Sequence, residues 1–193
     1  MAQSPGLNEA DLLRRSSGGD EAAFTALYRC FQGPVFRFAL QMSGNRTMAE
    51  EVTQEVFMAL IRGGSQVDIT RGPLIAWLLG VARNHVLKGL ERNSRYRPLG
   101  CINAEDEWLL EPAAQEDQFE EVTRKQVLAK LRRAVLALPP RYREVVVLCD
   151  LEEMSYEDAA RVLDCATGTV RSRLHRARAL LAGKLRVGVR CQA

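Results

Sequence analysis

Histidine is nearly absent: His85 and His175 are the only two in 193 residues. Neither has a neighbouring Cys, Ser or paired carboxylate that would complete a nucleophile or a metal site. A phosphate-binding glycine loop is missing as well. Enzymatic activity is therefore not expected, and neither is a cofactor, a bound metal or a small-molecule substrate. The cysteines, Cys30, Cys101, Cys149, Cys165 and Cys191, are odd in number, far apart and without CxxC or CxxH spacing. That pattern argues against a disulfide framework or a zinc site. Cys30 and Cys149 read as small core residues. No apolar run approaches the ~20 residues that span a bilayer, and the opening MAQSPGLNEADLLRR lacks the basic-then-apolar order of a signal peptide. A cytoplasmic protein with no membrane insertion is expected.

Charge of one sign is not in great excess: 27 Lys and Arg stand against 24 Asp and Glu, a formal net charge of +3. Any nucleic-acid role must then rest on where the basic residues lie. The 47% hydrophobic content excludes disorder throughout.

What is present is helical periodicity nearly everywhere, with no convincing alternating strand run, so the expected class is all-α. A first helix follows Asp20, a good N-cap, with Phe24, Leu27, Tyr28, Phe31, Val35, Phe38 and Met42 on its apolar stripe and a bend or break at Gly33-Pro34. Thr47 and Glu50 have the spacing of a capping box that opens a second helix, closed by Gly63-Gly64. Pro73 sits where a first-turn proline is tolerated and starts a third helix, PLIAWLLGVARNHVLKGLER. Between about Cys101 and Glu121 acidic residues occur with no Lys or Arg and with Pro112 among them, the composition of an extended linker. Helical pattern resumes through Val127, Leu131, Val135 and Leu138, stops at Pro139-Pro140 and continues as RYREVVVLCDLEE. The chain thus divides into an N-terminal segment 1–19, a helical unit 20–98, an acidic linker 99–121, a smaller helical unit 122–187 and a tail 188–193.

The last pair of helices is the sharpest signal. Ser155 and Asp158 cap YEDAARVL; a turn at Asp164, Cys165 and Ala166 follows; then Thr167 serves as a second N-cap for TVRSRLHRARALL. Short helix, tight turn and longer basic helix is the order of a helix-turn-helix. On a helical wheel Val170, Leu174, Ala177 and Leu181 share one face and Arg171, Ser172, His175 and Arg176 the other. The polar face is the candidate for reading base edges in the major groove. Arg161, Arg173, Arg178 and Lys184 flank it and suit phosphates. A basic amphipathic helix alone is more often a solvated face; two capped helices at this spacing reverse that judgement. His175 is as readily a surface residue as a DNA contact.

The second helix has apolar groups on both sides: Ala49, Val52, Val56, Ala59 and Leu60 form its stripe, yet the opposite face mixes Glu50 and Gln54 with Phe57, Met58 and Ile61. Such a helix binds another protein, or else Phe57 and Ile61 pack beneath the first helix. In the third helix Arg83, Asn84, Lys88, Arg92, Arg95 and Arg97 accumulate toward the C-terminal half, which suits a phosphate backbone and also a helix dipole with no ligand at all.

Taken together, these strings resemble the extracytoplasmic-function (ECF) sigma factors of bacterial RNA polymerase, over almost the whole chain. AEEVTQEVFMALIR is similar to that family's core-binding helix in region 2, AWLLGVARNHVLKGLER to its promoter-melting helix, and LPPRYREVVVLCDLEEMSYEDAARVL with GTVRSRLHRARALL to the helix-turn-helix of region 4. The resemblance implies that Glu51, Gln54, Glu55, Phe57 and Met58 contact core RNA polymerase on the clamp helices of its large subunit. It implies that Asp68, Arg71, Trp77, Arg83, Asn84 and Lys88 engage the minus-10 element of promoter DNA as it melts. It further implies that Thr169, Arg171, Ser172, His175 and Arg176 read the minus-35 element as duplex, with phosphate contacts from Arg161, Arg173 and Arg178. The linker would then lie in the polymerase's RNA exit channel, and an anti-sigma factor would hold the two units together. Two departures stand out. The loop before the third helix reads Val67-Asp68-Ile69-Thr70-Arg71-Gly72 where the family often has aromatic-Asp-Pro, and Asp164 stands where the helix-turn-helix usually has glycine.

A plain helix-turn-helix regulator is the competing reading, but it leaves the N-terminal helices unexplained. A sigma mimic that binds an anti-sigma protein and not DNA is a further alternative, disfavoured by Arg171 and Arg176.

Overall fold

The computed structural model describes residues 9–64, 67–96 and 118–190, with the side chains of 71, 93–96, 118–124 and 187–190 left out of that description. The acidic linker 99–121, apart from the backbone of its last residues, therefore lies outside the described residues, as do the tail beyond 190, Arg97, Cys101 and Cys191. Every regular element described is helical: α1 Glu9–Ser17, α2 Glu21–Ser43, α3 Arg46–Gly63, a 3₁₀ turn Ile69–Arg71, α4 Leu74–Tyr96, α5 Gln118–Leu136, α6 Pro140–Val146 continued by a π turn Val147–Leu151, α7 Tyr156–Leu163 and α8 Thr167–Arg190. Helix α1 falls in the N-terminal segment 1–19, where no helix is expected from the sequence; it packs on α2 and buries Leu13.

Helix α2 runs unbroken through Pro34, contrary to the expected interruption. Proline removes a backbone bond and crowds the preceding turn, at a cost of ~3 kcal/mol. Here Val35, Phe38, Ala39 and Met42 directly after it are wholly buried, and that burial offsets the loss. Asp20 caps the start through Ala22 and Ala23 amides, as expected, and Gly44 ends the helix in the left-handed region at φ 68° with its N–H on the Leu40 carbonyl, 2.8 Å away.

The next start differs from expectation. Asn45, extended at φ −129°, accepts from the Met48 amide at 2.8 Å and is the N-cap of α3. Thr47 and Glu50 lie inside the helix, and Glu50 pairs with Arg46 at 2.9 Å. Directly after left-handed Gly44 the chain is already turned into the helix direction, so the first strong cap, Asn45, takes the role.

The later boundaries follow the sequence closely. Pro140 opens α6 at its first turn. Ser155 caps α7, its hydroxyl accepting from the Asp158 amide at 3.0 Å. Asp164 takes the left-handed conformation at φ 50°, ψ 54°, which an aspartate tolerates better than most residues, and so forms the turn normally left to glycine. Thr167 is the first residue within α8 and not its N-cap; the Ala166 carbonyl accepts from the Thr169 and Val170 amides.

The two helical units do not keep separate cores. One contiguous apolar cluster runs from Leu27, Phe38 and Val56 through Leu78 and Val86 to Leu148, Leu163 and Leu174. Helix α4 lies against α7, and α2 against α5 and the π turn. Polar contacts cross the same seam. Arg83 pairs with Glu144, Arg37 reaches Glu152 at 3.5 Å, and Arg143 donates to the Met42 carbonyl and to those of Leu136 and Leu138.

Candidate nucleic-acid and polymerase interfaces

Helix α8 presents the face expected of a reading helix. Val170, Leu174 and Ala177 are buried on the core side. Arg171, Ser172, His175 and Arg176 are exposed on the other, and Thr169 is half-buried at the edge. The Ser172 hydroxyl donates back to the Thr169 carbonyl at 3.1 Å. The Arg171 guanidinium lies over the Tyr156 ring, 5.8 Å from its centroid.

The flanking basic residues are more committed than their charge suggested. Arg178 makes a two-pronged contact with Asp150, at 3.1 and 2.5 Å, and hydrogen bonding to that carboxylate makes the guanidinium hold its proton more firmly than usual. Arg161 pairs with Asp158 at 2.5 Å, and its side chain lies against Gly72. Arg173 is half-buried, and Lys184 is exposed.

On the N-terminal unit, α3 exposes Glu51, Gln54 and Glu55, with Met58 half-buried beside them. Phe57 is a correction: at 3% exposure it is a core residue, not a surface contact. Its ring packs edge-on against Phe24 and 4.7 Å from Tyr28, centroid to centroid. The alternative of packing beneath the first helix holds for Phe57 but not for Ile61, which is 56% exposed. Tyr28 and Ile61 border a shallow groove between α2 and α3 that also takes in Arg29, Arg37 and Cys30. Cys30 is exposed, contrary to its reading as a core residue, because it falls on the outer side of α2. Cys149 is half-buried, and burial together with Asp150 pushes its thiol up to about 11.

Asp68 caps the 3₁₀ turn before α4, accepting from the Thr70 amide at 3.0 Å. Trp77 is half-buried against the core, while Asn84 and Lys88 are exposed. Arg83 is held by Glu144, and the Arg71 side chain is outside the described residues. The candidate minus-10 residues thus share one helix and its leading loop, and part of that surface, at Arg83 and Gly72, is covered by the C-terminal unit. Sequence reasoning missed Glu144, which covers Arg83, and Asp150, which holds Arg178, because nothing in their local pattern marks a long-range partner. Among the described residues no helix is long and apolar enough to cross a membrane.

Comparison with known proteins accounts for this arrangement. Residues 27–96 match the family Sigma-70 region 2, and residues 128–181 match Sigma-70, region 4. The chain is 36% identical over 163 residues to the ECF RNA polymerase sigma factor SigE of Mycolicibacterium smegmatis; the match takes in 83% of this chain and 62% of that longer relative. It is 34% identical over 165 residues to the ECF RNA polymerase sigma factor SigC of Mycobacterium tuberculosis, covering 85% of this chain and 84% of the relative. Its fold is similar to that of the sigma factor RpoE from Bartonella quintana, solved in complex with the anti-sigma factor NepR, with a TM-score of 0.64 and 25% identity, covering 85% of this chain and 97% of that one. With both sigma regions in order along one helical chain, and relatives of this similarity along most of its length, the chain belongs to the ECF sigma factors.

Proposed function

We propose that the chain directs core RNA polymerase to promoters and helps open them, without catalysing a reaction itself and within the cytoplasm. The observation that carries this reading is the exposed ridge Arg171, Ser172, His175 and Arg176 on a helix whose other face is buried. A ridge of that kind fits the major groove, where an arginine can bond a guanine edge in pairs and discriminate by roughly 1–3 kcal/mol. In this reading residues 122–187 bind the minus-35 element, with Thr169 at the edge of the ridge. Residues 20–98 hold polymerase and the minus-10 element. Glu51, Gln54 and Glu55, with Met58, would dock on the clamp helices of the large subunit; Tyr28 and Ile61 replace Phe57 as the apolar part of that surface. Asp68, Arg71, Trp77, Asn84, Lys88 and, once released from Glu144, Arg83 would hold the separating strands. Melting costs about 1.4 kcal/mol per base-pair step, which captured bases and phosphate contacts must offset.

An anti-sigma partner belongs to the same proposal. Glu144 on Arg83 and Arg161 against Gly72 cover the loop and helix assigned to the minus-10 element. A partner that stabilises this packing would keep the chain from DNA. Recovery of polymerase alone, with no second small protein, from an uninduced native host would contradict this part.

Permanganate footprinting tests the main reading. The chain with core polymerase is expected to make thymines reactive over a short stretch upstream of a start site, while neither component alone does so. Protection of duplex DNA by the chain alone, with no reactive thymines when core is added, would instead identify a plain helix-turn-helix regulator.

A further inference from the structure

The ring of Tyr156 sits under the guanidinium that the proposed function sends to a base edge. Tyr156 is the first residue of α7, fixed there by the Ser155 cap, and its ring is packed against the common core. Arg171 of α8 lies 5.8 Å from the ring centroid, within the ~6 Å over which a cation is drawn to a ring face. Arg178 stands seven residues further along, on the same side of α8 after two turns. It is clamped by Asp150. The ring therefore lies on a stretch of the structure where two arginines of one helix face are held from below. Their situations differ: Arg178 is engaged by a carboxylate on two of its nitrogens, whereas Arg171 has no carboxylate partner among the described residues.

We propose that Tyr156 is a positioning residue for promoter reading: its ring holds the Arg171 guanidinium in place while leaving the donors of that guanidinium free to meet a base edge. The inference rests on the reading of α8 as the minus-35 helix. A guanidinium drawn to a ring face spends none of its N–H donors on that contact, so they stay available for the paired contact with guanine N7 and O6. An arginine free to rotate would have to be ordered on binding, and the ring removes part of that loss in advance. Arg178, by contrast, is a brace that ties the end of α8's reading face to the turn at Asp150.

The test uses the chain assembled with core polymerase and a promoter it initiates from, with each base pair of the upstream element replaced in turn. Arg171→Ala is expected to abolish discrimination at the base pair it reads. Tyr156→Leu is expected to weaken discrimination at that same base pair by about 3- to 10-fold and to have no added effect in the Arg171→Ala background. A second series keeps the shape of the ring: Tyr156→Phe, then the 4-fluoro and 3,4,5-trifluoro analogues of that side chain, introduced by nonsense suppression. Discrimination at that base pair should fall stepwise as fluorine drains the ring face. An even loss at all positions, a loss in Tyr156→Leu that persists without Arg171, or indifference to fluorination would show that the ring merely supports the fold. Those outcomes overturn the inference and leave the proposed function standing. Absence of any start-site-specific transcript with the unsubstituted chain would overturn both.

Discussion

Arg83 of α4 and Glu144 of α6 form an ion pair across the seam between the two helical units, the carboxylate 4% exposed and the guanidinium 22%. The pair joins a residue of the helix proposed to engage the minus-10 element to a residue of the unit proposed to bind the minus-35 element. Removing one member of a buried pair leaves an uncompensated charge, and the more buried member is the more expensive to strand. Arg83→Ala, which strands Glu144, should lower stability by about 3 kcal/mol. Glu144→Ala should cost less, because Arg83 retains access to water. Equilibrium urea unfolding of both variants checks the order; equal costs, or the reverse order, would show that the pair is not buried in solution.

Glu152 is the weak member of the same seam. Its side chain is 9% exposed, its contact with Arg37 is 3.5 Å long, and Oε1 is buried without a hydrogen-bond partner among the described residues. Burial raises its carboxyl above the ordinary value of 4.5, with Arg37 only partly opposing the rise. A carboxyl held more weakly ionised in the folded chain makes the fold bind more protons than the unfolded chain. Stability from this group is therefore present below the ordinary range and lost as pH rises from there through the raised value. Glu152→Gln should stabilise the protein at pH 7, by on the order of 1 kcal/mol, and the advantage should vanish near pH 4. Unfolding midpoints across that range decide the matter, and a variant less stable than the parent at pH 7 would contradict it.

Gly44 serves two purposes. Its φ of 68° ends α2, and a Cβ placed there would come within 2.7 Å of a Leu136 side-chain carbon on α5. Gly44→Ala should cost about 2–3 kcal/mol, part from the backbone and part from displaced packing across the seam. Leu136→Ala in the same chain should recover the packing part, so a double-mutant cycle should show coupling of at least about 0.5 kcal/mol. Strict additivity would place the whole cost in the backbone.

Asp164 bears a left-handed turn that glycine would adopt without steric penalty. Asp164→Gly should leave stability unchanged or raise it by up to about 1 kcal/mol, whereas Asp164→Val should lower it by at least 1 kcal/mol. Thermal melting of the two variants gives the comparison.

How much of this was legible in the sequence follows from the range of the forces involved. Caps and turns depend on a few neighbouring residues, so Asp20, Ser155 and the bend at Asp164 could be read directly. Thr47 failed as a cap because Asn45 stood two residues nearer the glycine turn, a competition between equally local signals. Pro34 failed as a break because its effect was weighed without the burial of Val35 and Phe38. The exposed polar ridge of α8 was legible from periodicity alone. The engagement of Arg83, Arg161 and Arg178 was not, since for Arg83 and Arg178 the partner, Glu144 or Asp150, is distant in sequence, and Arg161 meets Gly72 only through the packing of α7 on the loop before α4. Phe57 and Cys30 exchanged their expected places for the same reason: which side of α2 faces α3 is decided by packing.

The most direct test of the central claim is run-off transcription with core RNA polymerase on a library of promoter fragments, comparing the chain with its Arg171→Ala/Arg176→Ala variant. Transcripts from discrete start sites that require the chain and fade in the variant are the predicted result; a chain that binds DNA yet yields no dependent transcript from any fragment would contradict the account.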